Sequence, residues 1–374
     1  MTGRKTLAVW LHGGIGTGHF SQGFAVLDRV ISGLTKEFDV VVYSQHAPNP
    51  GFVHPMLKIQ SPPASIRSGW ARWLFLLRSF RSDHQDKKFT LVFACWGYPA
   101  GLLAVGLAKY FNIPSVVYLL GSDSAGIKKI DFGVFHRPLL RTVVLWTYRK
   151  ASRLIVLTNF QANHLRAQGV DRPVAVVPWG IDPSDFHILQ KDPAPVLRLL
   201  QVAHLNPVKD QPMLLKAFAT ILKSRAATLR IIGYDSLGGE IQSLARVMNM
   251  STHIEFLPMV EHGQMIDHYH WADIFVQSSM FEGQGMAATE AAACGVLLAG
   301  TRVGFMADIG EEGAVLADVG DHEMLASRIL AIAEQPAAWR SKIAKAADWV
   351  RHYPFEKTVS DLIRILKDVT PENA

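Results

Sequence analysis

Two kinds of apolar run alternate along the chain. Short unbroken runs read as buried parallel strands: LAVWLH (7–12), DVVVYS (39–44), LVFACW (91–96), SVVYLL (115–120), LIVLTN (154–159) and VAVVPW (174–179). Between them lie stretches with helical spacing. Phe24, Leu27, Val30, Ile31 and Leu34 fall on one face of a helix expected from Phe20 to Leu34, and GLLAVGLAKYF (101–111) reads as another. The stretch from Ile181 to Val196 loses this periodicity and holds Asp182, Pro183, Pro193 and Pro195, so it reads as a linker. The alternation then restarts. LRLLQVA (197–203), LRIIG (229–233), IEFLP (254–258), ADIFVQS (272–278) and GVLLAG (295–300) read as strands. MLLKAFATIL (213–222) and GEIQSLARVM (239–248) read as helices. Two successive strand–helix arrays predict two doubly wound α/β domains, whose ligands belong at the carboxyl ends of the strands and in the cleft between facing domains.

Composition supports this reading. The chain has 374 residues, enough for two domains, and is 49% hydrophobic and 19% charged, which excludes disorder, collagen and coiled coil. No run of 18 apolar residues lacks a charge, so no spanning helix is expected, and the apolar run at the start is too short for a secretory signal. Cys95 and Cys294 lie far apart in apolar contexts, which fits reduced thiols in a cytoplasmic setting and excludes a disulfide framework. Charge is uneven. Residues 1–190 carry a net +11 and residues 191–374 a net −5. Such a split suggests that the halves have different partners.

The window SSMFEGQGMAATEAAACG (278–295) carries the most chemistry. A strand ends in a loop with Glu282, Gly283 and Gly285. A helix begins near Met286, runs through Thr289 and Glu290, and stops at Gly295, a natural helix terminator. Its leading N–H groups and positive dipole end suit a phosphate, while Glu282 and Glu290 can accept hydrogen bonds from ligand hydroxyls. HGGIGTGHF (12–20) is a second loop. Gly13 and Gly14 follow the first strand and let the backbone approach a diphosphate, but the dinucleotide fingerprint G-x-G-x-x-G is missing, which argues against a nicotinamide-dependent oxidoreductase. In SIRSGWARWLFLLRSFRSDHQDKK (65–88), Trp70, Trp73, Leu74, Leu77 and Phe80 line one helical face, flanked by Arg67, Arg72, Arg78 and Arg81. That is the pattern of a segment lying at a membrane interface, so peripheral contact through 65–81 is expected. A second basic stretch runs from Lys128 through Arg153 around LLRTVVLWTYRKA. Nucleic acid is not an expected partner, because no aromatic-interleaved RNA-binding motif is present.

SMFEGQGMAATEAAACGV resembles the donor-site signature of the retaining glycosyltransferases of family 4, which have the GT-B fold: two facing Rossmann-like domains with a cleft between them and a C-terminal crossover helix. VAVVPWGIDPSDF (174–186), VAHLNPVKDQPMLLKAF (202–218), HWADIFVQSS (270–279), GTRVGFMADI (300–309) and HYPFEKTVSDLIRIL (352–366) follow in the family's order. The resemblance implies an acceptor-binding domain over 1–185, a donor-binding domain over 186–351, and a final helix at about 352–370 that packs back on the first domain. It implies a metal-independent hexosyltransferase that moves a sugar from a nucleotide-sugar such as a UDP- or GDP-sugar to a saccharide or lipid-linked acceptor. The setting it suggests is cell-surface polysaccharide or lipopolysaccharide assembly at the inner face of a membrane. No cofactor beyond that substrate and no metal is implied.

Residue by residue, Lys209 matches the lysine that neutralises the donor diphosphate, Glu282 the residue near the sugar hydroxyls, and Glu290 the ribose ligand. The amides of Gly285, Met286 and Ala287, with Gly283, Gly233, Gly13 and Gly14, would lie along the donor. The chain departs from the pattern in three places. His204, expected beside the donor phosphates, stands where arginine is usual, Asp308 where glutamate is commoner, and Leu120 in LLGSDSAG where a histidine usually faces the sugar. Asp123 and His19 are the expected catalytic substitutes for that histidine. An alternative is a weakly catalytic nucleotide-sugar-binding homologue that serves as a partner subunit.

Overall fold

The structure, a computed structural model, describes residues 4–18, 24–189 and 195–370. The chain forms two compact units. The first comprises residues 1–157, 161–178 and 357–374, and the second residues 158–160 and 179–356.

The first unit contains β1 (Lys5–Leu11), α1 (Ala25–Leu34), β2 (Phe38–Ser44), β3 (Lys58–Gln60), α2 (Gly69–Lys87), β4 (Leu91–Cys95), α3 (Leu102–Tyr110), β5 (Ser115–Leu119), a small antiparallel pair β6 (Gly126–Ile127) and β7 (Phe132–Gly133), α4 (Pro138–Lys150), β8 (Arg153–Val156), most of α5 (Asn159–Ala167) and β9 (Val174–Val176). Its seven-stranded parallel sheet has the order β3-β2-β1-β4-β5-β8-β9. Strand order reverses beside β1, so the loops after β1 and β4 leave the sheet on opposite sides. The helix expected from Phe20 is partly corrected. Helix α1 begins at Ala25, Leu27, Val30, Ile31 and Leu34 are buried, and Phe24 is exposed. Residues 20–23 lie outside the described residues.

The amphipathic face expected over 65–81 is also corrected. Leu76 and Phe80 are buried in α2, with Trp73 and Leu77 packed against the same core as Trp10, Tyr43 and Phe89. Only Trp70 and Leu74 face outward, on the helical stripe shared with Arg78 and Arg81. The sheet needs the aromatic residues as cover, and that core turns the helix away from the face its arginines suggest. No helix among the described residues is long and apolar enough to cross a membrane.

The second unit contains β10 (Leu197–Val202), α6 (Gln211–Leu222), β11 (Ala227–Ile232), α7 (Glu240–Val247), β12 (Ile254–Leu257), α8 (Met265–Trp271), β13 (Ile274–Gln277), α9 (Met286–Ala293), β14 (Leu297–Thr301), α10 (Gly304–Gly313), β15 (Ala314–Ala317), α11 (His322–Ala333) and α12 (Pro336–His352). Its six parallel strands run β12-β11-β10-β13-β14-β15. Alternate residues enter separate cores. Leu199, Ile274, Val276, Leu297 and Ala299 pack with α6 and α11, whereas Leu200, Phe275 and Leu298 pack with α9, α10 and α12. Burial on both sides is why these strands read as unbroken apolar runs.

The chain leaves the first unit after Pro178. The segment read as a linker is in part fixed onto the second unit. Ile181 bridges to Pro354, Phe186 is buried, and Leu189 N donates to Cys294 O at 3.2 Å. Residues 190–194 lie outside the described residues. Helix α13 (Phe355–Val369) belongs to the first unit from Lys357 onward. There Thr358 Oγ1 donates to Pro178 O at 2.8 Å, Val359 lies against Gly33, and Lys367 pairs with Glu37 at 2.6 Å. Cys95 and Cys294 are free and buried.

Candidate functional site

The candidate site of the second unit is built where β10 and β13 end. After β13 the chain passes through Ser278, Ser279 and Met280 to Glu282, and α9 starts at Met286. Gly285 precedes α9 with φ +92°, and no side chain caps the helix. A Cβ at Gly285 would lie 2.6 Å from Gln277 Oε1, so position and conformation both call for glycine. Helix geometry leaves the first N–H groups of α9, beginning with Met286 and Ala287, without partners inside the helix. Both residues are half-buried, as is Gly285, whereas Gly283 is buried and its carbonyl accepts from Thr158 Oγ1 at 2.7 Å. The neighbouring Gln284 pairs its side-chain amide with the backbone of Trp179, accepting from Trp179 N and donating to Trp179 O, each at 2.8 Å. The loop is therefore tied to the Trp179 backbone by a buried side-chain amide.

Lys209 reaches this loop from the end of β10. Asn206 accepts from Lys209 N at 3.3 Å and closes a 3₁₀ turn, and Asp210, at φ +46°, caps α6 by accepting from Met213 N at 3.2 Å. The turn aims Lys209 at Glu282, with Nζ 2.6 Å from Oε1. Ser279 Oγ donates to the same oxygen at 2.6 Å. Ser278 Oγ in turn donates to Lys209 O at 2.7 Å, so the two loops are tied together by both main chain and side chain. The ion pair is only partly exposed, 23% for Lys209 and 12% for Glu282, and a cation there is weakly screened.

Glu290 lies one turn into α9 and is buried. Its Oε2 accepts from Tyr269 Oη at 2.5 Å, and its Oε1 lies 3.6 Å from His262 Nε2. Burial first, then the Glu290 charge, pushes the Tyr269 phenol well above its ordinary range, so it acts as a fixed hydrogen-bond donor. His204, expected near the phosphates, is held below the ordinary imidazole range, first by burial and then by Lys209. Its ring lies edge-on to Tyr234, with centroids 6.0 Å apart. Gly233 follows β11 at φ +158°, and a Cβ there would meet Ala203 O at 2.1 Å, so glycine lets the two loops close up. Asp308 accepts from Asn159 N at 2.7 Å, Phe160 N at 2.8 Å and Asn159 Nδ2 at 3.2 Å, and so holds the start of α5.

The remaining expected residues lie in the first unit. Gly13 and Gly14 are buried in the loop after β1. Asp123 is 1% exposed, and its carboxylate accepts from Gly97 N at 2.9 Å, Gly121 N at 2.8 Å and Leu120 N at 3.3 Å. Burial raises its pKa against these bonds. In the structure Asp123 holds the loop after β5 through these three bonds. His19 lies outside the described residues. Sequence reasoning missed Tyr269, His262, Ser279 and Gln284. Ser279 and Gln284, three residues before and two after Glu282, carried a local signal. Tyr269 and His262 meet the site through tertiary packing.

Comparison with known proteins follows the same layout. Residues 25–185 match the family described as Glycosyltransferase Family 4, and residues 190–349 that described as Glycosyl transferases group 1. Together these matches span most of the chain. Among curated relatives, a D-inositol 3-phosphate glycosyltransferase of Nocardiopsis dassonvillei is 28% identical over 60% of this chain and 58% of its own length. That of Mycolicibacterium smegmatis is 29% identical over 59% of this chain and 54% of its own. The chain thus spans a little over half the length of these relatives. Among solved structures, sucrose-phosphate synthase from Thermosynechococcus elongatus aligns over 98% of this chain and 99% of its own, with a TM-score of 0.82 and 19% identity. Anabaena HepE in complex with UDP and glucose aligns over 97% of this chain and 100% of its own, with a TM-score of 0.76 and 16% identity. These likenesses show the GT-B fold.

Proposed function

The chain belongs to glycosyltransferase family 4, and from that premise we propose that it moves a sugar from a nucleoside diphosphate to a hydroxyl of a saccharide, polyol or lipid-linked acceptor, with retention of configuration and without a metal. The observation that carries this reading is the Lys209–Glu282 pair, 2.6 Å apart, beside the uncapped start of α9. When the bond from the sugar C1 to the diphosphate breaks, negative charge gathers on the leaving phosphate. Lys209 and the amides of Gly285, Met286 and Ala287 are fixed charges and dipoles of the right sign to receive it. Glu282 then turns to sugar hydroxyls and Glu290 to the ribose, with Tyr269 holding one Glu290 oxygen in place. The acceptor oxygen bonds C1 on the face the phosphate leaves, and its proton passes to the departing phosphate oxygen.

The relatives named for inositol phosphate and the UDP complex of HepE support a UDP-type donor and a polyol or sugar acceptor. The +11 charge of residues 1–190, together with exposed Trp70, Leu74, Arg78 and Arg81, supports an acceptor presented at an anionic membrane surface, as in cell-envelope polysaccharide assembly. Incubation with UDP-, GDP- and ADP-sugars, with and without acceptor extracts, tests the reading. Acceptor-dependent nucleotide release with an α-linked product from an α-linked donor is expected, and no release with any donor contradicts it. One observation favours a second reading, a binding subunit without turnover. His204, kept neutral by burial and Lys209, is a poor substitute for arginine at a phosphate. Tight nucleotide binding with no release would favour that alternative.

A further inference from the structure

The carboxyl ends of β1 and β2 hold a second cluster of side chains that the donor site does not use. His12 follows β1 and His46 follows β2, and His46 N donates to His12 O at 3.2 Å, which fixes the two loops edge to edge. Both residues reach solvent, and their imidazole centroids lie 4.8 Å apart with planes at 82°. His12 stacks on Trp73 of α2 at 6.4 Å and 28°, and Trp73 stacks in turn on buried Trp10. Gly13 leaves room for this arrangement, since a Cβ there would lie 3.2 Å from the His46 ring. Arg72 lies close enough to act on the His46 charge, and its Nε is anchored on Ile66 O at 2.9 Å. Gln45, the residue before His46, is 8% exposed, and its Oε1 is buried with no hydrogen-bond partner among the described residues. An orphaned acceptor of that kind calls for a polar occupant nearby.

We propose that His12, His46 and Trp73 form the subsite that takes the polyhydroxylated ring of the acceptor, with Arg72 beside it for an anionic substituent. This rests on the transferase reading above and names the recognising residues. The chemistry fits. A neutral imidazole offers one donor and one acceptor, which is what a ring hydroxyl needs, and two imidazoles at right angles can address adjacent hydroxyls. Partial burial of the rings holds both below their ordinary range, so they stay neutral near pH 7. Trp73 is half-buried, and the part of its ring left uncovered by His12 and Trp10 offers an apolar edge to the C–H groups of the same sugar or cyclitol. The site lies where ligands of doubly wound sheets bind, at the carboxyl edge.

The test uses the full chain with ¹⁵N-labelled histidine. Methyl α-D-glucopyranoside, methyl α-D-mannopyranoside, myo-inositol and myo-inositol 1-phosphate are titrated in turn, with inorganic phosphate as control. His12→Gln and His46→Gln assign the two imidazole resonances. At least one ring compound should shift both resonances saturably. His46→Gln should weaken that compound at least tenfold, and Trp73→Phe by less than Trp73→Ala. UDP affinity should stay within twofold in all these variants. If no ring compound moves either resonance, if inorganic phosphate alone does so, or if His46→Gln leaves the affinity unchanged, the proposal is overturned. Should wild-type protein fail to bind any nucleotide, the donor reading fails instead, and the histidine titration still reports on this site by itself.

Discussion

Removing Lys209 alone would strand the Glu282 carboxylate, which is 12% exposed and otherwise met by one hydroxyl from Ser279. A lone, poorly hydrated charge costs more than the pair contributes. Lys209→Ala should therefore lower thermal stability, and Lys209→Ala/Glu282→Ala should recover part of the loss. Chemical denaturation of the double-mutant cycle should show a coupling of about 0.5–3 kcal/mol, and additive losses would place the two residues apart. Gly233 gives a sharper steric case. An added Cβ would stand 2.1 Å from Ala203 O, so Gly233→Ala should cost about 1–3 kcal/mol or more, because the obstruction is backbone and cannot swing aside. A melting temperature equal to wild type would mean that the β11 turn relaxes.

At the scale of elements, Asp308 of α10 accepts from the amides of Asn159 and Phe160, as a capping side chain does. Asp308→Ala should cost about 0.5–2 kcal/mol, the usual worth of a cap, and Asp308→Asn should cost less, as urea titration would show. The strands were legible because each is buried on both sides, which leaves an unbroken apolar run with little ambiguity. The loop and helix around Glu282 and Glu290 were legible because glycine, the acids and the small helix residues sit next to one another in sequence. Helix α2 was misread in part. Its apolar residues wrap around more than one face, and only packing against Trp10 and Tyr43 decides that Trp73 turns inward while Trp70 does not. Tyr269 and His262 were invisible because nothing in α8 or the turn before it marks them. They matter only once folding brings them to Glu290. The structural part of Asp123 was only partly visible in the sequence. Two of its amide partners, Leu120 N and Gly121 N, are local, whereas the third, Gly97 N, comes from the loop after β4 and reaches it only in the folded unit.

At the scale of the whole molecule, burial acts on six histidines in the same direction. His12, His46, His84, His164, His204 and His268 are all held below their ordinary value, with burial the first cause in each. Each binds its proton less tightly when folded, so the unfolded chain takes up more protons as pH falls through about 6.5, and stability drops. Melting temperature should therefore fall between about pH 7.5 and about pH 6. Buried Asp123 and Asp308, raised above their ordinary value, act in the opposite sense at lower pH. A rise in melting temperature over the upper window would contradict the assignment of burial as the dominant cause. The charge split along the chain fits halves with different partners, and the acidic half still sets Lys209 against the site. The central claim is that this site binds a nucleoside diphosphate, and the most direct measurement is calorimetric titration of UDP, GDP and ADP into wild-type, Lys209→Ala and Glu290→Ala protein. At least one nucleotide should bind wild type, and each variant should bind it at least tenfold more weakly, a loss of about 1.4 kcal/mol or more. No binding by wild type, or equal binding by all three proteins, would contradict it.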